Sequence, residues 1–368
     1  MTERIVRFAV VGCGRVSANH LDALTRGSIP ARLTAVCDVD PEKARAKGER
    51  HRVPWFADYH AMIAAHPEIE ALSVCTPTGL HARHVTDLAR HGRHIVVEKP
   101  MALSVADCRA MIAACGASGA RLFVVKQNRF NPAVVAARAA LEAGRFGKLV
   151  MGTVRLRWRR DQPYYEQDDW HGTWAMDGGV MSQQASHHLD LLQWFFGRVE
   201  TVQCRTATRL LDIEVEDTAA SLVAFESGAL GIYEATVAAR PEDLEASISI
   251  LGERGSVIIS GRAVNRIQYW KFDEAVPGDD GVVERFSTDV PNVYGHGHGP
   301  YLAQVAESIL GGTRGLVEGA DGLTNVEILT ALYESAACGG QARRPGCRQE
   351  KSLLGVDVAK RAGTEPAA

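Results

Sequence analysis

At 368 residues, 46% apolar and 23% charged, the chain has the size of about two ordinary domains and the composition of a soluble globular protein. Its net charge of −3, from 41 basic and 44 acidic residues, argues against nucleic-acid and membrane-surface binding. No run of about 18 apolar residues occurs, so no membrane span is expected. The opening MTERIVRFAVVGCG enters a strand-like run with no secretory-leader layout, and the expected location is cytoplasmic.

In chain order, short Val/Ile/Leu-rich runs at Ile5–Val11, Leu33–Cys37, Ala71–Cys75, His94–Val97 and Leu122–Val125 read as strands buried on both faces. Helical segments such as Pro41–Arg52 and Ser104–Ser118 lie between them, which predicts βαβ units and a parallel sheet. Past residue 126 the pattern changes. Leu149–Arg160, Glu200–Thr208, Thr218–Phe225, Ala229–Thr236, Glu245–Leu251 and Ser256–Ser260 read as strands joined by tight turns, hence a mostly antiparallel sheet. One helix, Gly178–Phe196, interrupts it, and two more follow at Gly299–Leu310 and Leu323–Cys338. The predicted architecture is α/β: a Rossmann domain over 1–126, a substrate and oligomerisation domain over 127–340, and a polar, loosely packed tail over 341–368. Eight cysteines show no CxxC pair, so neither a zinc cluster nor a redox motif is expected, and no metal site is assigned.

The segment VVGCGRVSANH follows the first strand and opens a helix. Gly12 and Gly14 stand at the first two positions of a G-x-G-x-x-G fingerprint, and Ser17 takes the third. Gly12 allows the tight turn, Gly14 lets the backbone approach a pyrophosphate, and the third residue need only be small. Backbone N–H groups of Cys13, Arg15 and Val16 at the helix start are candidate phosphate ligands. Asp38 ends the second strand about 20 residues on, where a ribose-binding acid belongs. An acid there repels a 2′-phosphate, so NAD is expected over NADP. A turn or helix-cap role for Asp38 ahead of Pro41 is the alternative.

Three further segments carry a resemblance: Cys75-Thr76-Pro77-Thr78 with His81, Glu98-Lys99-Pro100, and GGVMSQQASHHLD. With the glycine fingerprint, they resemble the glucose–fructose oxidoreductase/inositol dehydrogenase (Gfo/Idh/MocA) family over nearly the whole chain. The resemblance implies a Rossmann domain followed by an α/β domain with a large, open, mostly antiparallel sheet, and homodimers or homotetramers assembled through that sheet. It extends the expected cofactor contacts to Thr76, Pro77, Thr78, His81, Glu98, Lys99, Gln127 and Trp170. The longer run RWRRDQPYYEQDDWHGTWAMDGGVMSQQASHHLDLLQW is similar to the branch that oxidises UDP-N-acetyl-2-amino-2-deoxy-D-glucuronate on the way to diacetamido-uronic acid in bacterial O-antigen.

Lys99 sits at the carboxyl end of the fourth strand, the edge that carries ligands in open α/β sheets. Its ammonium can stabilise an alkoxide and relay a proton. A solvated lysine, or a structural partner of Glu98, is the bland reading. Gln183 and His187 are four apart, so one helix would set them on one face, with Asp190 three further on. By the resemblance His187 is the general acid/base; a satisfied core histidine is its alternative. His188 points about 100° away around the helix. Most of the family carries Asp where this chain has Gln183. A neutral amide can hydrogen-bond a sugar but cannot act as a base, so the chemistry shifts to Lys99 and His187.

A uronate and a diphosphate call for arginine. Arg155, Arg157 and Arg159 alternate on one strand face, with Arg160 on the other. Arg157 and Arg160 are the candidate ligand contacts, against a solvated or subunit-facing strand. Tyr164, Tyr165 and Trp170 either bound a sugar pocket or belong to the core. Gln127, Asn128 and Arg129 begin the crossing to the second domain, and Asn128 is a candidate substrate contact. His296 and His298 lie in a Gly-rich loop, and His296 is a candidate substrate contact. The expected activity is NAD-dependent oxidation of a UDP-linked sugar. The alternatives are a dehydrogenase of a free sugar or cyclitol, and a non-catalytic NAD-sensing regulator.

Overall fold

A computed structural model describes residues 4–290, 292–347 and 350–358. It divides into two compact units. Met1–Gln127 and His296–Leu323 form the first, and Asn128–Gly295 and Thr324–Ala368 the second.

The first unit holds strands β1 (Val6–Val11), β2 (Ala31–Cys37), β3 (Trp55–Phe56), β4 (Ala71–Val74), β5 (His94–Val97) and β6 (Leu122–Val124). They lie in the order β3-β2-β1-β4-β5-β6 with every pairing parallel. The apolar runs read as buried strands are buried, with Phe8, Ala9, Val10, Leu72, Val96 and Phe123 fully enclosed. Between the strands run α1 (Ser17–Thr25), α2 (Pro41–His51), α3 (Tyr59–Ala65), α4 (His81–Ala89) and α5 (Val105–Ala117). The edge strand β3 and the helix α3 were not anticipated; each is too short to show a periodicity. The strand order turns back between β1 and β4, which puts the ligand crevice of such a sheet at their carboxyl ends. There the chain presents Gly12–Gly14, Asp38, Cys75–Thr78 and Glu98–Pro100.

The expected division into 1–126, 127–340 and 341–368 differs from the structure: Gln127 belongs to the first unit, and the tail groups with the second. Residues 296–323 group with the first unit. The helix α11 (His298–Gly311) buries Tyr301, Leu302, Val305 and Ala306 and packs on α1. Arg121, just before β6, fastens the segment: its guanidinium donates to Ser308 O at 2.8 Å, Thr313 O at 2.7 Å and Glu318 Oε1 at 2.5 Å.

The second unit is built on β7 (Leu149–Arg157), β8 (Val199–Ala207), β9 (Thr218–Phe225), β10 (Leu230–Thr236), β11 (Glu245–Gly252), β12 (Gly255–Ser260) and β13 (Arg266–Phe272). Their order is β13-β12-β11-β7-β10-β9-β8. All neighbours are antiparallel except β7 and β10. The helices are α6 (Pro132–Glu142), α7 (Gln162–Tyr165), α8 (Val180–Gln183), α9 (Ser186–Phe196), α10 (Val282–Phe286) and most of α12 (Gly319–Ala337). α9 lies on the inner face of the sheet. It approaches so closely that a Cβ on Gly152 would stand 2.4 Å from Phe196.

The outer face can be read from the registers. Leu251, Met151 and Leu230 form one cross-strand row, and Ser249, Thr153, Ile232 and Leu222 the next. Leu222 and Leu230 are 58% and 59% exposed, so this face carries apolar side chains open to solvent in the isolated chain.

The tail expected to be loose is tied down where it is described. Glu334 Oε2 accepts the backbone N–H groups of Lys351 and Ser352, both at 2.8 Å, and Leu354 is buried. Residues 348, 349 and 359–368 of that tail lie outside the described residues. No helix among the described residues is long and apolar enough to cross a membrane.

Candidate functional site

The glycine turn is fixed by two different requirements. Gly12 has φ +95°, and a Cβ there would lie 2.8 Å from the Cys75 carbonyl carbon. Only glycine fits. Gly14 has nothing within 4 Å of an added Cβ, so packing within the protein does not call for glycine there, and the backbone is open to a close-approaching ligand. Ser17 is fully buried and its Oγ donates to Gly14 O at 2.6 Å, a hydroxyl closing the turn that a third glycine would leave open.

The Asp38 carboxylate is held by backbone on both oxygens. Oδ2 accepts from Cys13 N at 2.7 Å and Oδ1 from Asp40 N at 2.9 Å. Asp40, not Asp38, caps α2, accepting from Glu42 N and Lys43 N. This removes the helix-cap alternative for Asp38. Val39 follows it at 90% exposure, an apolar surface beside the acid that the sequence reading passed over. Burial pushes the Cys13 and Cys37 thiols up to about 12, so neither is a thiolate nucleophile. The open Gly14, the anchored acid at the end of β2 and the α1 N-terminus fit a dinucleotide with an unphosphorylated ribose.

Two loops of the same edge are joined by His81, which is 1% exposed. Its Nε2 lies 2.9 Å from Thr76 O and its Nδ1 3.0 Å from Pro100 O. Burial lowers the His81 pKa, so the neutral ring donates to one of the two carbonyls at a time, and it sits as a brace between the Thr76 loop and the Glu98-Lys99-Pro100 segment. The Lys99–Pro100 peptide is cis. Thr76 Oγ1 meets His84 Nδ1 at 3.0 Å, and burial brings His84 down to about 4, so it stays neutral. Glu98 is buried as well, its carboxylate taken up by His20 and by the Lys99 N–H. His298 is buried beside Glu98, whereas His296, the residue favoured from sequence, is exposed.

In the second unit Asn128 is 4% exposed, and its Oδ1 is buried without a hydrogen-bond partner among the described residues. Leaving such an acceptor unpaired costs about 1–3 kcal/mol. The neighbouring Arg129 donates to both oxygens of Asp190 at 2.8 and 2.7 Å, so this buried pair anchors α9. Gln183 and His187 are not on one continuous helix as expected. Gln183 ends α8, His187 lies in the first turn of α9, and Gln184 and Ala185 break the helix between them. Glu216 holds the start of α8, accepting Val180 N through its backbone carbonyl and Met181 N through Oε1. His187 is 8% exposed.

The arginines divide differently from the sequence reading. The strand ends at Arg157, so Arg159 and Arg160 lie beyond it. Arg157 donates to Glu234 at 2.6 and 3.0 Å and pairs with Glu245 at 3.3 Å, a cross-strand network on the outer sheet face. Of its two open readings, the structure shows the strand-face one. Arg160 lies over Trp158 and Tyr164 and pairs with Asp243 at 3.3 Å. Tyr165 is 5% exposed and packs in the core, and the Trp170 ring lies on His171.

Residues 6–126 match a family model described as an oxidoreductase family with an NAD-binding Rossmann fold, and residues 134–258 match the GFO/IDH/MocA C-terminal domain. The solved structure of the WlbA dehydrogenase from Bordetella pertussis, in complex with NADH and UDP-GlcNAcA, is similar with a TM-score of 0.88 and 40% identity, covering 95% of this chain and 100% of that one. A D-apiose dehydrogenase from Paraburkholderia graminis is 32% identical over 246 residues, 65% of this chain and 63% of that protein. An inositol 2-dehydrogenase from Rhizobium meliloti is 31% identical over 212 residues, 58% of this chain and 61% of that protein. The last two matches therefore span less than two thirds of those relatives' own lengths. The matched models and the 40% identity over nearly the full length establish that this chain belongs to the GFO/IDH/MocA oxidoreductase family and carries an NAD-binding Rossmann domain.

Proposed function

We propose that this protein oxidises the C3 hydroxyl of UDP-N-acetyl-2-amino-2-deoxy-D-glucuronate (UDP-GlcNAcA) to the 3-keto sugar, with NAD as acceptor. The observation that carries the reading is the likeness to the WlbA dehydrogenase, which extends over 95% of this chain and includes a complex with that sugar nucleotide. When bound, NAD supplies the hydride-accepting nicotinamide; Gly14, Asp38 and the first turn of α1 are the residues suited to hold it. Lys99, at the carboxyl end of β5, stabilises the alkoxide with its charge. His187 takes the hydroxyl proton. Asn128 accepts a sugar hydroxyl at its unpaired Oδ1, and Gln183 contributes an amide that orients without titrating. Arg160, flanked by Trp158 and Tyr164, is the better-placed arginine for an anionic group.

The same reading places the enzyme in the cytoplasm, where nucleotide sugars for diacetamido-uronic acid synthesis are made. It also pairs copies of the chain through the outer face of the seven-stranded sheet, covering Leu222 and Leu230. A second reading, oxidation of a free sugar or cyclitol, is favoured by the D-apiose and inositol dehydrogenase relatives. NAD reduction by the purified protein, compared among UDP-GlcNAcA, D-apiose and myo-inositol, decides between them. A chain that binds NAD and turns over none of the three fits a non-catalytic sensor instead.

A further inference from the structure

The Glu98-Lys99-Pro100 segment is gripped by groups far away in sequence, all within the first unit. Glu98 Oε1 accepts from His20 Nε2 at 2.8 Å, and His298 Nε2 lies 3.7 Å from the same oxygen. Oε2 accepts the Lys99 backbone N–H at 3.1 Å. The residues are 0%, 4% and 4% exposed for His20, Glu98 and His298. His20 Nδ1 faces Ser73 Oγ at 3.3 Å. A hydroxyl donating to Nδ1 leaves the proton on Nε2, where it points at Glu98. The two rings meet edge-on at 5.4 Å.

A buried carboxylate is tolerated only when it is paired and hydrogen-bonded. Burial by itself raises the Glu98 pKa, yet the hydrogen bond from His20 and the His298 imidazole 3.7 Å away hold it well below the usual carboxylate range. The carboxylate is therefore ionised, and its second oxygen is left to hold the Lys99 main chain. His20 comes from α1, the helix that opens at the glycine turn, and His298 from the start of α11.

We propose that His20 and His298 are positioning residues for Lys99, acting through Glu98. The imidazoles fix the carboxylate, and the carboxylate fixes the main chain from which the Lys99 side chain projects. A displacement of the order of 1 Å at a reacting group costs about 100-fold in rate, so a rigid mount of this kind has catalytic value. The inference rests on the role given to Lys99 above. Two imidazoles and a carboxylate, with ligand atoms all within 4.8 Å of one another, also have the makeup of a cation site. The geometry favours the hydrogen-bonded reading. The 2.8 Å separation is an N–H···O distance, whereas ligands on a tetrahedral zinc with bonds of about 2.0–2.1 Å sit roughly 3.3 Å apart. The Lys99 charge beside His298 opposes a second cation.

The test uses the full chain carrying His20→Leu, His298→Leu, His20→Gln and His298→Gln, with Lys99→Ala alongside. The glutamine amide nitrogen falls near the imidazole Nε2 and preserves the donor. Both leucine variants should keep the NADH dissociation constant within about threefold and lose about 10- to 100-fold in kcat, with KM little changed and kcat largely restored in the glutamine variants. The sugar used is whichever one reduces NAD in the wild type, so a wrong substrate assignment does not disturb the comparison. Wild-type kcat in the leucine variants overturns the proposal. So does a parallel loss of kcat, NADH binding and melting temperature that glutamine does not restore. One equivalent of zinc, present in the wild type and lost in the leucine variants, overturns it in favour of a metal site. If Lys99→Ala keeps full turnover, the Lys99 reading has failed first. Nitrogen-15 shifts of His20 test the proposal without turnover. Protonated Nε2 is expected on His20, and a bare Nε2 there contradicts the mount.

Discussion

The Cys13 backbone N–H donates to Asp38 Oδ2 at 2.7 Å, so the acid at the end of β2 is locked to the middle of the glycine turn after β1. The carboxylate serves two ends at once. It stiffens the turn, and in the proposed function it binds the ribose. Asp38→Ala removes both. Hydrogen bonds to a charged group contribute about 1.5–3 kcal/mol, which predicts a roughly 10- to 100-fold weaker NADH affinity and a narrower preference over NADPH. Fluorescence titration of the two nucleotides checks this. An unchanged NADH affinity contradicts the ribose assignment.

The two glycines of the turn are expected to respond differently to alanine. Gly12→Ala drives a Cβ into the Cys75–Thr76 peptide at 2.8–2.9 Å and strains a residue at φ +95°, so the variant should be poorly folded or melt well below the wild type. Gly14→Ala meets open space, so its melting temperature should match the wild type while NADH binding falls. Calorimetry and NADH titration of both variants separate the two effects. A destabilised Gly14→Ala would contradict the division.

Glu216 gives the second unit a pH dependence. It is fully buried, and desolvation brings its carboxyl up to about 7, opposed by hydrogen bonds from Met181 N and Tyr333 and assisted by Asp217. Because the folded pKa lies above the unfolded one, the stabilisation is complete below about pH 4.5 and is lost as pH rises to about 7. A shift of that size corresponds to roughly 3 kcal/mol. Urea unfolding at pH 5 and pH 8 should show this loss in the wild type and a clearly smaller one in Glu216→Gln, which keeps an oxygen for Met181 and Tyr333. Equal losses in both proteins contradict the assignment.

The Arg129–Asp190 pair is a separate test of how α9 is held. Both side chains are buried, and the contact is bidentate. Asp190→Ala leaves an uncompensated guanidinium and should cost about 3–5 kcal/mol. Replacing both residues with apolar ones of similar size should recover much of that. Denaturant midpoints of the single and double variants report it, and a single variant as stable as the wild type argues against the anchor.

The parts of this molecule legible in sequence are those set by neighbours along the chain. The glycine turn, Asp38 after β2 and Lys99 after β5 follow from strand periodicity and fixed spacings. α6 went unread: Asn131, Pro132 at its first position and Gly144 beyond its end bound it, but its alanine-rich middle hides the apolar stripe. β13 was masked by the exposed Arg266, Gln268, Tyr269 and Lys271. The break between Gln183 and His187 has no Pro or Gly to announce it. The pairing of Glu98 with His20 and His298 spans 78 and 200 positions, and only the folded chain displays it. Arg157 looked like a ligand contact because Glu234 and Glu245, its cross-strand partners, come from other strands.

The most direct test of the central claim is NAD reduction by the purified wild-type chain with UDP-GlcNAcA, run beside Lys99→Ala and His187→Ala. The account predicts NADH formation with UDP-GlcNAcA and a 3-keto sugar nucleotide as product. Each variant should bind NADH with near wild-type affinity and lose at least about 100-fold in kcat. No reduction with UDP-GlcNAcA, together with turnover of D-apiose or myo-inositol, contradicts the substrate assignment; full activity in both variants contradicts the site.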